Sequence, residues 1–306
     1  MMEEALTLLD GHVKTLNALL IESSLRLKDA GLETPRLDAE VLICRALGMS
    51  RETFWRDPHR EIDADDLSRC EAWVCRRERR EPLAYILEER EFWSRRFRVT
   101  RDVLIPRPES ELIIERLLEN IGPEARQRPL KGLDLCTGSG ALAVVAALEL
   151  PRARITGVDV SSAALEIANE NGRYHGVDVR LRWVRCDLLN GLELEEAAPE
   201  SFDFILCNPP YLGESDMQAL QPEIARFEPA EALDGGPDGT RFYPEIIKTA
   251  ARWLKPAGLL LMEMGCEQGS AVRSLLETSR RFTEVAVIQD YTGRDRLVSA
   301  RMSKGD

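Results

Sequence analysis

Histidine is scarce in this chain: three in 306 residues, at 12, 59 and 175, too scattered to suggest a histidine-based metal site. Cysteine forms no C-x-x-C pair. The seven cysteines, at 44, 70, 75, 136, 186, 207 and 266, are odd in number and lie mostly among apolar neighbours, which predicts small core side chains in a reducing compartment. No apolar run reaches the length of a membrane span, and the acidic start Met1-Met2-Glu3-Glu4 lacks both the basic beginning of a signal peptide and the arginine-rich character of a transit peptide. A cytoplasmic protein with no membrane partner and no metal is expected. Positive charge is in deficit too, with 41 Lys+Arg against 53 Asp+Glu and a net charge of −12. Direct nucleic-acid binding normally uses a basic face, so this balance speaks against it.

What is present divides the chain. Two domains are the expectation for 306 residues. Residues 1–80 carry helix punctuation: a periodic stretch from about Val13 to Ala30 stops at Gly31, and Thr34-Pro35 opens another that stops at Gly48. A third, very polar helix is predicted from Asp63 to Arg80, and its run Arg76-Arg77-Glu78-Arg79-Arg80 reads as a solvated face rather than a phosphate contact. Residues 81–107 follow as hairpin and linker. The segments Pro82–Leu87 and Glu91–Val99, rich in aromatic and β-branched residues around a short polar turn, predict two strands, and Leu104-Ile105-Pro106-Arg107-Pro108-Glu109 predicts a stiff connection leading into a helix from Glu109 to Asn120. That rigidity would bring the segment over the mouth of a following catalytic domain.

From about Leu130 strand, loop and helix alternate. Strands are predicted at Gly132–Cys136, Ala153–Val158, Val179–Val184, Phe202–Cys207 and Gly258–Met262, with a final pair at Phe282–Ile288 and Arg296–Ala300. Such alternation predicts an α/β fold over residues 108–306, a mostly parallel sheet with helices on both faces and an antiparallel C-terminal strand.

Three clusters fall at strand ends, the edge where open α/β sheets bind ligands. Asp134-x-x-Thr137-Gly138-Ser139-Gly140 lies on a strand-to-helix turn, where glycines admit close backbone approach and the helix N-terminus offers free N–H groups. Some 20 residues on, Asp159 ends the next strand in the position that binds ribose hydroxyls in nucleotide folds. Asp187 and Leu188 end the third strand, placed to take an adenine N–H and to pack on the ring. The loop lacks the full G-x-G-x-x-G of dinucleotide folds and has no P-loop lysine, which favours the phosphate-free S-adenosylmethionine (SAM) over NAD or ATP.

The fourth strand ends in Asn208-Pro209-Pro210-Tyr211. Two successive prolines supply no N–H, and Pro209 holds Asn208 out of the helical region, so the Asn208 side-chain oxygen and nearby carbonyls remain a fixed acceptor cluster beside the Tyr211 ring. That arrangement suits a planar NH2 group. A strand running into a proline turn is the plainer reading of the tetrapeptide taken alone.

Taken together, the chain resembles the peptide-chain release factor glutamine N5-methyltransferase family over nearly all its length. The resemblance is carried by Pro82–Ile86, Arg90–Trp93, Leu104–Glu109, Asp134–Gly140, Asn208–Tyr211, Glu228-Pro229 with Ala232–Gly239, and Asp290–Arg296. It implies a Rossmann-like class I SAM-dependent methyltransferase domain preceded by a small helical domain that helps dock the substrate. The implied reaction is methyl transfer from SAM, leaving S-adenosyl-L-homocysteine, to the glutamine of the Gly-Gly-Gln loop of class I release factors, and a monomer is expected. Cofactor contacts are then expected from Cys136, Thr137, Gly138, Ser139, Gly140, Asp159, Asp187, Leu188 and Asn208, substrate contacts from Asn208, Pro209, Pro210 and Tyr211, and catalysis from Asn208, Pro209 and Tyr211. Cys136 and Glu88 stand where the family usually has glycine. The first bears on cofactor packing, the second on local turn geometry. Glu263, ending the fifth strand of the alternating series, is expected to border the pocket or to be an ordinary strand-end carboxylate. The rival reading is a SAM-dependent amino-methyltransferase of adenine or guanine, and a non-catalytic SAM-binding module is a third.

Overall fold

A computed structural model describes residues 14–188 and 199–304, in two compact units that divide between Glu88 and Glu89. The expected helix start at Val13 and the acidic N-terminal tetrapeptide lie outside the described residues.

The first unit is helical: α1 (Leu16–Asp29), α2 (Pro35–Ala46), α3 (Arg51–Arg56), α4 (Ala64–Glu78) and α5 (Leu83–Leu87). Thr15, Ser50 and Asp63 each cap a helix by accepting a backbone N–H three residues on, and Pro35 sits in the first turn of α2. Leu19, Leu20, Leu42, Ile43, Phe54 and Val74 fill its core. The basic run at the end of α4 is not a solvated face. Arg77 is buried, donating to Asp38 at 2.7 Å and to the Glu81 carbonyl at 3.0 Å, while Arg76 makes a two-pronged pair with Glu81 and Arg80 reaches the carbonyls after α1. Of the four arginines only Arg79 is exposed. The run staples the unit, because its helix turns these long side chains back onto carbonyls and acids of α1, α2 and the following turn. Removing one partner of a buried ion pair strands the other, so Asp38→Ala should destabilise the chain by about 3 kcal/mol. Urea denaturation followed in the helical signal checks this, and a loss under about 1 kcal/mol would place the pair in effective contact with water.

The strand that sequence predicts over Pro82–Leu87 is instead α5. Pro82 fixes its N-terminus and Glu88 closes it in the left-handed region, φ +53°. The hairpin is β1 (Glu89–Phe92) and β2 (Arg95–Arg98), joined by Trp93 and Ser94, both at positive φ, +54° and +53°. A two-residue turn of that hand matches strand twist but normally carries glycine or asparagine, so sequence could not place it. Tertiary bonds hold it: Trp93 N donates to Glu111 at 2.7 Å and its indole N–H to Glu149 at 3.1 Å. Phe92 and Phe97 are buried in the core of the second unit.

That unit continues with α6 (Glu111–Ala125, kinked at Gly122-Pro123), β3 (Lys131–Leu135), α7 (Ala141–Glu149), β4 (Arg154–Asp159), α8 (Ser162–Tyr174), β5 (Leu181–Arg185), β6 (Phe202–Cys207), α9 (Glu214–Gln218), α10 (Pro222–Phe227), α11 (Tyr243–Trp253), β7 (Leu254–Glu263), α12 (Gly269–Ser279), β8 (Phe282–Gln289) and β9 (Asp295–Met302). The sheet order is β5-β4-β3-β6-β7-β9-β8, parallel except that β9 runs antiparallel to both neighbours. The C-terminal hairpin therefore does not simply extend the edge: its second strand inserts between β7 and the first.

Alternation along the central strands builds two cores. On β6, Ile205 and Cys207 face the layer of α11 and α12, while Phe204 and Leu206 face that of α6 and α7. Among the described residues no helix is long and apolar enough to cross a membrane.

Candidate active site

The chain reverses direction across the sheet after β5, so β3 and β6 lie side by side while their connections run to opposite sides. A crevice opens at the carboxyl ends of such a pair. A cavity of about 260 Å3 lies there, and its walls include Cys136, Gly138, Asp159, Asp187, Leu188, Asn208 and Pro210, drawn from all four predicted strand ends. The Asp159 carboxylate accepts from Gly138 N at 2.9 Å and Ser161 N at 3.0 Å, which holds both oxygens at the wall. Burial raises its pKa above the ordinary carboxylate value. Gly138 has φ +53°, and a Cβ there would meet no protein atom within 4 Å: it would project into open space at the cavity wall. Carboxylate acceptors, apolar walls from Val103, Leu104, Val160 and Ala164, and a backbone stripped of side chain fit the hydroxyls, amine and ring of SAM. No cluster of metal-ligating side chains occurs among the described residues.

Thr137, Ser139 and Gly140 are not in that lining. Thr137 is buried and donates its hydroxyl to Asp134 at 2.5 Å, Ser139 offers its carbonyl to Asn171, and Gly140 caps α7 in the left-handed region. They shape the loop from behind. Asp134 is fully buried, with one oxygen bonded to Thr137 and Ala143 N and the other without a partner among the described residues. Burial pushes its carboxyl up from 3.8 to about 7. The folded protein then keeps a proton that the unfolded chain releases. The group's contribution to stability is complete below about pH 4 and lost as pH rises to about 7, with a slope approaching 1.4 kcal/mol per pH unit. Asp134→Asn should flatten the stability difference between about pH 5 and pH 7.5. Urea midpoints at the two pH values check it, and an unaltered difference would mean Asp134 is ionised throughout.

Both positions that depart from the family's glycines have positive φ, Glu88 at +53° and Cys136 at +58°. The departures carry backbone strain and keep the turn geometry. Glu88→Gly and Cys136→Gly should each raise stability by about 0.5–1 kcal/mol, the strain relieved less the freedom glycine adds to the unfolded chain. Thermal midpoints test this; a fall would show that the side chains' contacts outweigh the strain.

The Asn208–Tyr211 end is held by a buried network. Glu263, 1% exposed, accepts the Ser110 hydroxyl at 2.6 Å and the Tyr211 hydroxyl at 2.9 Å. Asn208 Nδ2 donates to Ser110 Oγ at 3.0 Å. Burial raises the Glu263 pKa, opposed by its two donors and by Arg296, and burial with the Glu263 charge raises that of Tyr211. Glu263 is thus more than a strand-end carboxylate: it ties Tyr211 to the segment before α6.

Three of the segments that carry the resemblance converge here. In the first, Glu228 receives Arg107 at 2.6 Å and Ile105 N at 3.2 Å, fixing the proline-rich connection so that Arg101, Asp102, Val103 and Leu104 line the cavity. In the second, residues 235–239 back Tyr211, with Gly235 N bonded to the Leu212 carbonyl at 2.9 Å. In the third, Asp290 accepts from Thr292 and Arg294, bonds that push its carboxyl down to about 2, and the turn it caps sets Arg296 at the start of β9. Ser110 and Gln268, whose amide N donates to the Tyr211 carbonyl at 2.9 Å, escaped the sequence reading, while Arg296 was quoted only as the end of a motif. Only their closeness to quoted motifs hinted at them.

Residues 18–87 match the profile of the PrmC N-terminal domain, and residues 128–294 that of a methyltransferase domain. The chain is 37% identical over 273 residues to the release factor glutamine methyltransferase of Caulobacter vibrioides, covering 89% of this chain and 91% of that one. It is 40% identical over 290 residues to the enzyme of the same name from Nitratidesulfovibrio vulgaris, covering 94% and 95%. A methyltransferase from Pyrococcus furiosus aligns with a TM-score of 0.48 at 16% identity, over 69% of this chain and 89% of that one.

Proposed function

Since the chain belongs to the release factor glutamine methyltransferase family, we propose that it methylates the side-chain amide nitrogen of the glutamine in the Gly-Gly-Gln loop of class I release factors, acting as a monomer with its helical unit docking the substrate. The observation that carries this reading is the Asn208 amide held at the cavity wall with Nδ2 spent on Ser110, so that its oxygen is left for an incoming NH2.

Asp159 and Asp187 take SAM's hydroxyl and amino donors, and Leu188 and Val160 its ring. When bound, SAM supplies an electrophilic methyl on sulfonium and leaves as S-adenosyl-L-homocysteine. A carboxamide nitrogen is a poor nucleophile because its lone pair is delocalised into the carbonyl. Asn208 Oδ1 and the Pro209 carbonyl accept its two N–H bonds and turn the density perpendicular to the amide plane toward the methyl. Those bonds strengthen as positive charge grows on nitrogen, so they favour the transition state over the ground state. Tyr211 covers the amide face. The methylated nitrogen is strongly acidic and loses its proton to a weak acceptor, so no tuned general base is needed.

Purified protein, radiolabelled SAM and unmethylated release factor, run beside the same factor with its Gly-Gly-Gln glutamine replaced, test the proposal. Label only on the first is the expected result. Label on neither, with transfer to RNA or DNA, would overturn it in favour of an amino-methyltransferase of bases.

A further inference from the structure

We propose that Glu263 and Ser110 are positioning residues that fix which way the Asn208 amide faces, and thereby select a carboxamide over a carboxylate in the acceptor slot. This rests on Asn208 receiving the substrate amide.

Glu263 receives two hydroxyl donors, one on each oxygen, Ser110 on Oε2 and Tyr211 on Oε1. A carboxylate can only accept, so the single Ser110 proton is committed to it. Ser110 Oγ then has only lone pairs to offer a neighbour. The neighbour is Asn208 at 3.0 Å, which must present its NH2 there and turn its oxygen away. A flipped amide would set oxygen against oxygen.

Ser110 and Glu263 are 4% and 1% exposed, so water does not readily replace either bond. Arg296, itself tethered by Asp290, supplies a positive charge that opposes the rise burial gives the Glu263 carboxyl. The Tyr211 hydroxyl takes the second oxygen, so one buried acid orients the acceptor oxygen and the covering ring together.

Specificity is the consequence. A slot presenting only acceptors takes an NH2 and repels a glutamate carboxylate of nearly the same shape. Glu263→Gln keeps the volume but introduces a donor. Ser110 can then accept from that amide and give its own proton to Asn208 Oδ1, which frees the flipped state. Ser110→Ala removes the constraint by the smallest deletion, and Ser110→Thr retains the hydroxyl.

The test measures binding of release factor with its Gly-Gly-Gln loop, and of the same factor carrying Gly-Gly-Glu, to full-length enzyme loaded with S-adenosyl-L-homocysteine. Methyl-transfer kcat is measured on the first. The wild type should prefer the glutamine form by at least about tenfold. In Ser110→Ala and Glu263→Gln that preference should narrow to about threefold or less while kcat falls by about tenfold or more, and Ser110→Thr should restore both. A network that merely packs the core would move thermal stability and leave the ratio alone. Ser110→Ala and Glu263→Gln proteins that bind S-adenosyl-L-homocysteine normally and keep the wild-type ratio would overturn the inference alone. A wild type with no preference would remove it together with the reading of Asn208 beneath it.

Discussion

Asn208→Ala should lower kcat for release-factor methylation by roughly 10²–10³-fold and leave SAM affinity within about threefold. Two acceptors are proposed to hold the reacting NH2, and deleting one both weakens transition-state stabilisation and lets the amide rotate away from the line of attack. The fold should barely notice. The Asn208 side chain bonds to Ser110 Oγ, and that oxygen keeps its own bond to Glu263 when the asparagine is gone, so no buried group loses its sole partner. Cavity walls at Asp159, Asp187 and Leu188 are untouched. Kinetics with saturating SAM, beside a direct SAM titration, separate the effects. A variant turning over at the wild-type rate would remove Asn208 from the chemistry. A parallel collapse of SAM binding would recast it as a cofactor residue.

What sequence could reveal of the fold follows from range. The strand-loop-helix alternation after Leu130 is local, because buried strands such as Phe202–Cys207 are apolar but for a single residue, Asp203, and α7 follows its glycine loop at once. Insertion of β9 between β7 and β8 is a long-range pairing decision, with Val298 opposite both Met262 and Val287, and no window of sequence carries it. The error at Pro82–Leu87 has a similar origin. Over six residues an apolar run fits either strand or helix, and the deciding features are Pro82 before it and the strained Glu88 after it. The arginines of α4 misled for a different reason: a charge run resembles a solvated face until its partners, which come from distant sequence, are known.

The site divides along the same line. The part of its cavity wall at Cys136, Gly138, Asp159, Asp187, Leu188 and Asn208 was legible because these residues lie at or just after strand ends, and strand ends can be counted. Its acceptor end was legible only at Asn208-Pro209-Pro210-Tyr211, since the orientation of that tetrapeptide depends on residues 98 and 52 positions away. Leu104–Glu109, Ala232–Gly239 and Asp290–Arg296 act through contacts with distant residues, which no local pattern reveals: each braces the Asn208–Tyr211 end or the cavity from outside.

The loop at residues 235–239 shows how sharply that bracing is fitted. Gly239→Ala should cut kcat by about 10²-fold, because displacements near 1 Å at a reacting group have effects of that size. A Cβ on Gly239 would lie 2.2 Å from the Tyr211 carbonyl oxygen and 2.4 Å from Gln268 Nε2, the very pair whose hydrogen bond anchors Tyr211. Neither can yield cheaply, since one is backbone and the other belongs to an amide whose Oε1 accepts from Gly265 N at 2.9 Å. The tyrosine backbone must move, and the ring and the acceptor carbonyls move with it. Gly239 also has φ +74°, so strain accompanies the collision. Gly176→Ala isolates that part: its φ is +67° and nothing lies within 4 Å of the added carbon. Gly176→Ala should lose only about 1 kcal/mol of stability and keep its kcat, whereas Gly239→Ala should lose activity at temperatures where it is still folded. Equal activity in the two variants would mean that the loop supports the fold and leaves the placement of Tyr211 to other contacts.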